Sequence, residues 1–268
     1  MKIGYINYLN CYPFYHHMFK KEPLEGIDVV PAYPEDLNRM MASGELSVSP
    51  ISSAAYPGMR DRVLMLPGFC LSSIGYVRSV ILASRVPIED LDGRTVGLTT
   101  ASRTSVTLVR ILLEKYYGLR PEYVPVKPVP DMEAVDAAVV IGNEAMLEGT
   151  VPVEYIYDVG DLWLRKTGHP VVFAVFAVRD EAALNERDSV ERVIRSYTSS
   201  LAELRDNEDA VVSSASGMYP DIKYDIARYY RLLKFEFSDD LKKALMFFFE
   251  SAADAGLLER VNSINFYQ

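Results

Sequence analysis

Five hydroxyl side chains and one guanidinium fall within seven residues, Thr99-Thr100-Ala101-Ser102-Arg103-Thr104-Ser105. Neutral donors beside a cation suit a carboxylate or phosphate held by charge-assisted hydrogen bonds. The segment lies where an extended stretch, Thr95–Leu98, gives way to Val106, Val109, Leu112, Leu113 and Tyr116. Their three- and four-residue steps predict a helix with one buried face. A helix start leaves backbone N–H groups unpaired and carries partial positive charge, which favours an anion there. Ser102 or Thr104 could equally be an ordinary helix cap.

Other polar residues sit at comparable places. Asn10 lies in the loop Ile6-Asn7-Tyr8-Leu9-Asn10-Cys11-Tyr12-Pro13 that follows the first strand, either facing a ligand crevice or serving as a turn residue before Pro13. Ser52 and Ser53 end the third strand and open on the same crevice or simply cap the strand. Arg78 and Ser79 interrupt an apolar run; Ser79, between Val77 and Val80-Ile81, is expected to face a cleft, while the direction of Arg78 stays open. His16 and His17 are adjacent and so point apart on a helix, His169 is isolated, and Cys11 has no His at a useful spacing. Nucleophile elbow, Walker loop and Gly-rich dinucleotide fingerprint are all missing. The sequence therefore predicts neither a metal site nor a cofactor.

The elements that must carry these residues alternate. Lys2–Ile6, Ile27–Pro31 and Leu46–Ile51 read as strands, with helical segments at Phe14–Phe19 and from Pro34 to Gly44 between them. Such alternation predicts an α/β fold with a mostly parallel sheet and helices on both faces. Two stretches, Gly75–Val86 and Pro170–Arg179, read as long strands. They bracket a further α/β unit, with strands at Thr95–Leu98, Tyr123–Val126, Ala137–Ile141 and Glu154–Tyr157, and a helix near Glu144–Glu148. That order predicts two lobes joined by a two-stranded hinge: residues 1–85 with 172–268, and an inserted lobe at 86–171. The last ninety residues are expected to be helical, with the phenylalanines of Leu245–Phe249 in the core. A cleft between two such lobes is a favoured ligand site.

The chain has 268 residues, 49% hydrophobic and 24% charged, with a formal charge of −9. The acidic balance and the lack of a basic stripe argue against nucleic acid. No signal-peptide pattern precedes the Lys2–Ile6 strand and no apolar run is long enough to span a membrane. With two widely separated cysteines, Cys11 and Cys70, and no disulfide framework, a cytoplasmic protein with reduced thiols is expected. The oligomeric state is left open.

Six motifs then fall in order: Tyr8-Leu9-Asn10-x-x-Pro13; Gly75-Tyr76-Val77-x-Ser79-Val80; Ser102-Arg103-Thr104-Ser105-Val106; Asp136-Ala137-Ala138-x-x-Ile141-Gly142; Asp158-x-Gly160-x-x-Trp163; and Thr167-Gly168-x-Pro170-x-Val172-Phe173-Ala174. Together, over roughly residues 3–178, they resemble the chorismate dehydratases of the futalosine route to menaquinone. The resemblance implies a fold like the type 2 periplasmic binding proteins, with substrate held between the lobes. It implies loss of water from chorismate, a dicarboxylate, to give 3-(1-carboxyvinyloxy)benzoate, with the substrate's own enolpyruvyl carboxylate taking the proton. It also implies that Asn10 and Ser79 are essential and that Ser102–Ser105 bind a carboxylate; Ser52, Ser53 and Asp158 complete the expected substrate-binding set. Two positions depart from the pattern: Asn143, where Asp is common, and Arg165-Lys166, where an acidic or aromatic residue is common. A small-anion binding or sensor protein would share the fold, as would the sister enzyme making 1,4-dihydroxy-6-naphthoate. In that enzyme the first loop typically carries a Ser-Pro-Cys-Pro-Asn-Asp-type motif.

Overall fold

The computed structural model describes residues 1–268. Its first half runs β1 (Lys2–Ile6), α1 (Tyr12–Lys20), β2 (Asp28–Ala32), α2 (Pro34–Ser43), β3 (Val48–Ser52) and β4 (Val63–Ser73). The local signals act as expected at α2, where Pro34 opens the helix and Glu35 and Asp36 follow in its first turn. Gly44 closes it with φ 84°, its N–H donating to the Met40 and Met41 carbonyls.

The chain then crosses to a second sheet: β5 (Val80–Ser84), β6 (Thr95–Thr99), α3 (Arg103–Ile111), β7 (Glu122–Val126), β8 (Ala137–Ile141), β9 (Tyr155–Asp158) and α4 (Val159–Thr167). It returns through β10 (Val171–Arg179) and ends in α5 (Asp180–Asn185), α6 (Arg187–Asp206), α7 (Glu208–Met218), α8 (Ile226–Leu232), β11 (Leu233–Glu236) and α9 (Asp239–Asp254). The first sheet has the order β11-β4-β10-β3-β1-β2 and the second β7-β6-β8-β5-β9.

Both sheets are mixed. Within each, β1, β2 and β3, or β6, β7 and β8, pair in parallel, while the returning strands β10 and β5 run antiparallel to their neighbours. The sheets are thus not mostly parallel, the last ninety residues include the strand β11 as well as helices, and three further sequence expectations need correction. Gly75–Val86 is not one strand: residues 75–79 form a loop, and β5 belongs wholly to the second sheet, so residues 80–84 group with the inserted lobe rather than the first. The long partner of β10 is instead β4, paired from Val171↔Ser73 to Arg179↔Val63. It is hidden in the sequence by Pro67-Gly68, which reads as a turn but is an exposed irregularity where the register shifts. The expected helix near Glu144–Glu148 is a series of turns.

One apolar cluster of 74 buried residues runs through both lobes, and a second of seven covers the far face of the second sheet. Phe248 and Phe249 are buried in the first of these clusters. Phe247 and Phe248 of α9 also stand edge-on to Trp163 of α4, each about 6.1 Å between ring centroids. The C-terminal helix thereby braces the inserted lobe. No helix is long and apolar enough to cross a membrane.

Candidate functional site

The narrow cleft between the sheets encloses about 470 Å³ of non-atom space when its open mouth is counted. Asn10, Ser52, Ser79, Ser102 and Ser105 all line it, together with an apolar set that includes Leu71, Val80, Ile141 and Phe173. Residues 80, 174 and 233 bring in β5, β10 and the start of β11, so both sheets and the C-terminal segment shape the wall.

Asn10 is held through its neighbour. The Leu9 N–H donates to Asn143 Oδ1 at 2.9 Å, and the Leu9 carbonyl accepts from the Tyr230 hydroxyl at 3.1 Å. Both backbone groups beside Asn10 are thus fixed, one from the inserted lobe and one from α8. Asn143, a departure from the expected pattern, keeps an oxygen acceptor at this point. The Asn10 Oδ1 and the Ser52 Oγ are buried without a protein partner, so each is available to a ligand. Ser52 is positioned by its own N–H, which donates to Asn38 Oδ1 at 2.8 Å.

Ser79 is aimed by an unusual backbone. Arg78 just before it has φ 69°, a left-handed conformation that costs a non-glycine residue about 1–2 kcal/mol. Asp158 sustains it, accepting from Val77 N at 3.1 Å and Arg78 N at 2.7 Å while capping α4 through Asp161 N at 3.0 Å. Burial raises the Asp158 pKa above the ordinary carboxylate value, against the pull of those three donors. Gly160 belongs to the same knot, since a Cβ there would strike the Gly75 carbonyl. The Arg78 side chain turns away to the Ala145 carbonyl, 3.0 Å. The Ser79 Oγ accepts a 2.6 Å bond from the buried Tyr229 hydroxyl.

Cap and cup prove to be the same residues at α3. Ser102 caps the helix, its Oγ accepting from Ser105 N and lying 3.2 Å from Ser105 Oγ, and both serines face the cleft. Four expected ligands stand off the cavity wall. Arg103 reaches Glu35 of α2 at 2.5 Å, across the cleft mouth. Thr104 Oγ1 accepts from Ala54 N at 3.1 Å, also between lobes, and Ser53 Oγ donates to the Val172 carbonyl at 2.7 Å. Asp158 serves the crossover backbone.

The wall therefore contains no charged side chain. Positive potential comes from backbone dipoles instead. Pro34 is the first residue of α2, Ser102 caps α3, and Asn10 directly precedes the N-cap of α1, so three helix N-termini converge on the cleft. Tyr229, Tyr230 and Asn38 carry no sequence signal, because each acts through contacts remote in the chain.

Two mixed sheets, a crossing strand from each and a cleft between them define a two-lobed fold of the type 2 periplasmic-binding-protein kind. The periplasmic aliphatic sulphonate binding protein of Escherichia coli superposes over 100% of this chain and 93% of its own, with TM-score 0.66 at 13% identity. Within that class, the chain belongs to the menaquinone-biosynthesis family, whose profile matches residues 1–254. A Thermus thermophilus chorismate dehydratase is 33% identical over 196 residues, 67% of this chain and 70% of the relative. A 1,4-dihydroxy-6-naphtoate synthase of the same organism is 23% identical over 225 residues, covering 83% and 82%.

Proposed function

We propose that this protein is a cytoplasmic chorismate dehydratase, removing water from chorismate to give 3-(1-carboxyvinyloxy)benzoate on the futalosine route to menaquinone. The observation that carries this reading is the make-up of the cleft: neutral hydrogen-bonding side chains and three helix N-termini around an apolar wall without a charged group. The 33% identity to a chorismate dehydratase supports the choice of substrate.

The chemistry follows from that wall. Hydrogen bonds to a charged group contribute about 1.5–3 kcal/mol each, so three or four donors hold a carboxylate without a cation. Ser102, Ser105 and the start of α3 anchor one carboxylate, and Ser52 and Asn10 orient the rest of the substrate from the first lobe. The apolar side chains accept the carbocycle. Dehydration breaks a ring C–H bond at C3 and the C–O bond at C4, and aromatisation drives it. None of the lining residues is a His, Asp, Glu or Lys. The family resemblance implies that the substrate's enolpyruvyl carboxylate takes the C3 proton as the C3–C4 double bond forms. Hydroxide leaves C4 with a hydrogen bond from Ser79 and departs as water once that carboxyl hands the proton on. The protein acts as a positioning catalyst that excludes water.

Asn10→Ala and Ser79→Ala test the assignment. Each is expected to lower the steady-state turnover of chorismate at least ~100-fold, in line with removal of one well-placed donor. Near wild-type turnover in either variant would overturn that residue's role.

A further inference from the structure

We propose that Tyr229 is a positioning residue of the dehydration site, holding Ser79 with its free proton directed into the cleft. The inference rests on the chorismate dehydratase reading above and extends the site into the C-terminal helices.

A serine hydroxyl has one proton and two acceptor lone pairs. The Tyr229 hydroxyl donates to Ser79 Oγ at 2.6 Å and so occupies one of those lone pairs. The Ser79 proton is then left to point elsewhere, and Ser79 is on the cavity wall. Donation into a hydroxyl also strengthens that hydroxyl as a donor, through cooperative polarisation. Tyr229 itself is fully buried. Burial lifts the phenol well above its ordinary pKa, so it stays protonated and acts as a standing donor rather than a general acid. Its helix is anchored at the same place by the next residue, since Tyr230 donates to the Leu9 carbonyl beside Asn10. One turn of α8 thus holds Ser79 directly and the backbone next to Asn10, from outside either lobe's sheet.

The test is steady-state chorismate turnover by the full-length wild type, Tyr229→Phe, Ser79→Ala, the double variant and Tyr197→Phe. Tyr197 is a buried tyrosine of α6 whose hydroxyl donates to Tyr15, so its variant removes the same group away from the cleft. Tyr229→Phe should lower kcat about 10–100-fold with KM within threefold. Tyr197→Phe should stay within twofold, and the double variant should be no more than twofold slower than Ser79→Ala alone. Tyr229→His, which returns a ring-borne donor, should recover part of the rate even if Tyr229→Phe folds poorly. A wild-type-like kcat in Tyr229→Phe, an effect on KM alone, or full additivity with Ser79→Ala would overturn the inference while leaving the dehydratase reading standing. A wild type that does not consume chorismate would overturn both.

Discussion

At the scale of single residues, Arg103 most changes the picture of the anion cup. Its local sequence places it among hydroxyl donors at a helix start, and nothing nearby signals that its carboxylate partner, Glu35, lies 68 residues earlier. Asn10, Ser52, Ser102 and Ser105 are legible for a simple reason: residues at strand ends and helix starts of an α/β sheet share one edge, whereas Ser79 is legible only as a polar residue in an apolar run. Side chains that answer to remote partners are not legible in this way. Arg103 as an interlobe latch predicts that Arg103→Ala and Glu35→Ala behave alike. The pair is half-exposed and worth about 0.2–1 kcal/mol, so each variant should raise KM for chorismate no more than about fivefold and leave kcat unchanged. An Arg103→Ala defect tenfold beyond that of Glu35→Ala in the same assay would make Arg103 a direct ligand.

At the scale of elements, the crossover of residues 74–79 does the most for the site. Its sequence reads as strand because Val77, Val80, Ile81 and Leu82 are β-formers, yet the chain must turn here to leave one sheet for the other. The turn is imposed by a distant carboxylate, Asp158, through the Val77 and Arg78 N–H groups. β4 escapes notice for the opposite reason, a Pro-Gly pair that breaks the pattern without ending the strand. α3, by contrast, is set by its own residues, from the Ser102 cap to the apolar face, and is legible locally. The buried Asp158 gives this element a pH signature. With its folded pKa raised, its contribution to stability is fully present below the unfolded value of about 3.9 and is lost as pH rises through the folded value. In thermal melts, the difference in Tm between wild type and Asp158→Asn should therefore shift against the wild type as pH climbs from about 4 to 7. A difference that stays constant across that range, or moves the other way, would contradict the burial argument.

At the scale of the whole molecule, the two-lobed plan is the most legible feature, since one α/β unit inserted into another requires two crossings of the chain. What the sequence withholds is how closely the lobes approach. Besides the Arg103–Glu35 ion pair and the packing of α9 on Trp163, four hydrogen bonds join them: Leu9 to Asn143, Glu35 N–H to the Ala101 carbonyl, Ala54 to Thr104, and Tyr33 to Glu144. Gly142 has φ 62° and no room for a Cβ against the Tyr8 ring, so it too lets the inserted lobe close on the first. A closed cleft with neutral donors and no charged wall suits a reaction in which the protein supplies position and the substrate supplies the base. Incubating the purified full-length chain with chorismate and weighing the products by mass spectrometry tests that claim most directly. Loss of one water to give a single aromatic product is the predicted result. Chorismate recovered unchanged, or bound without turnover, would contradict it.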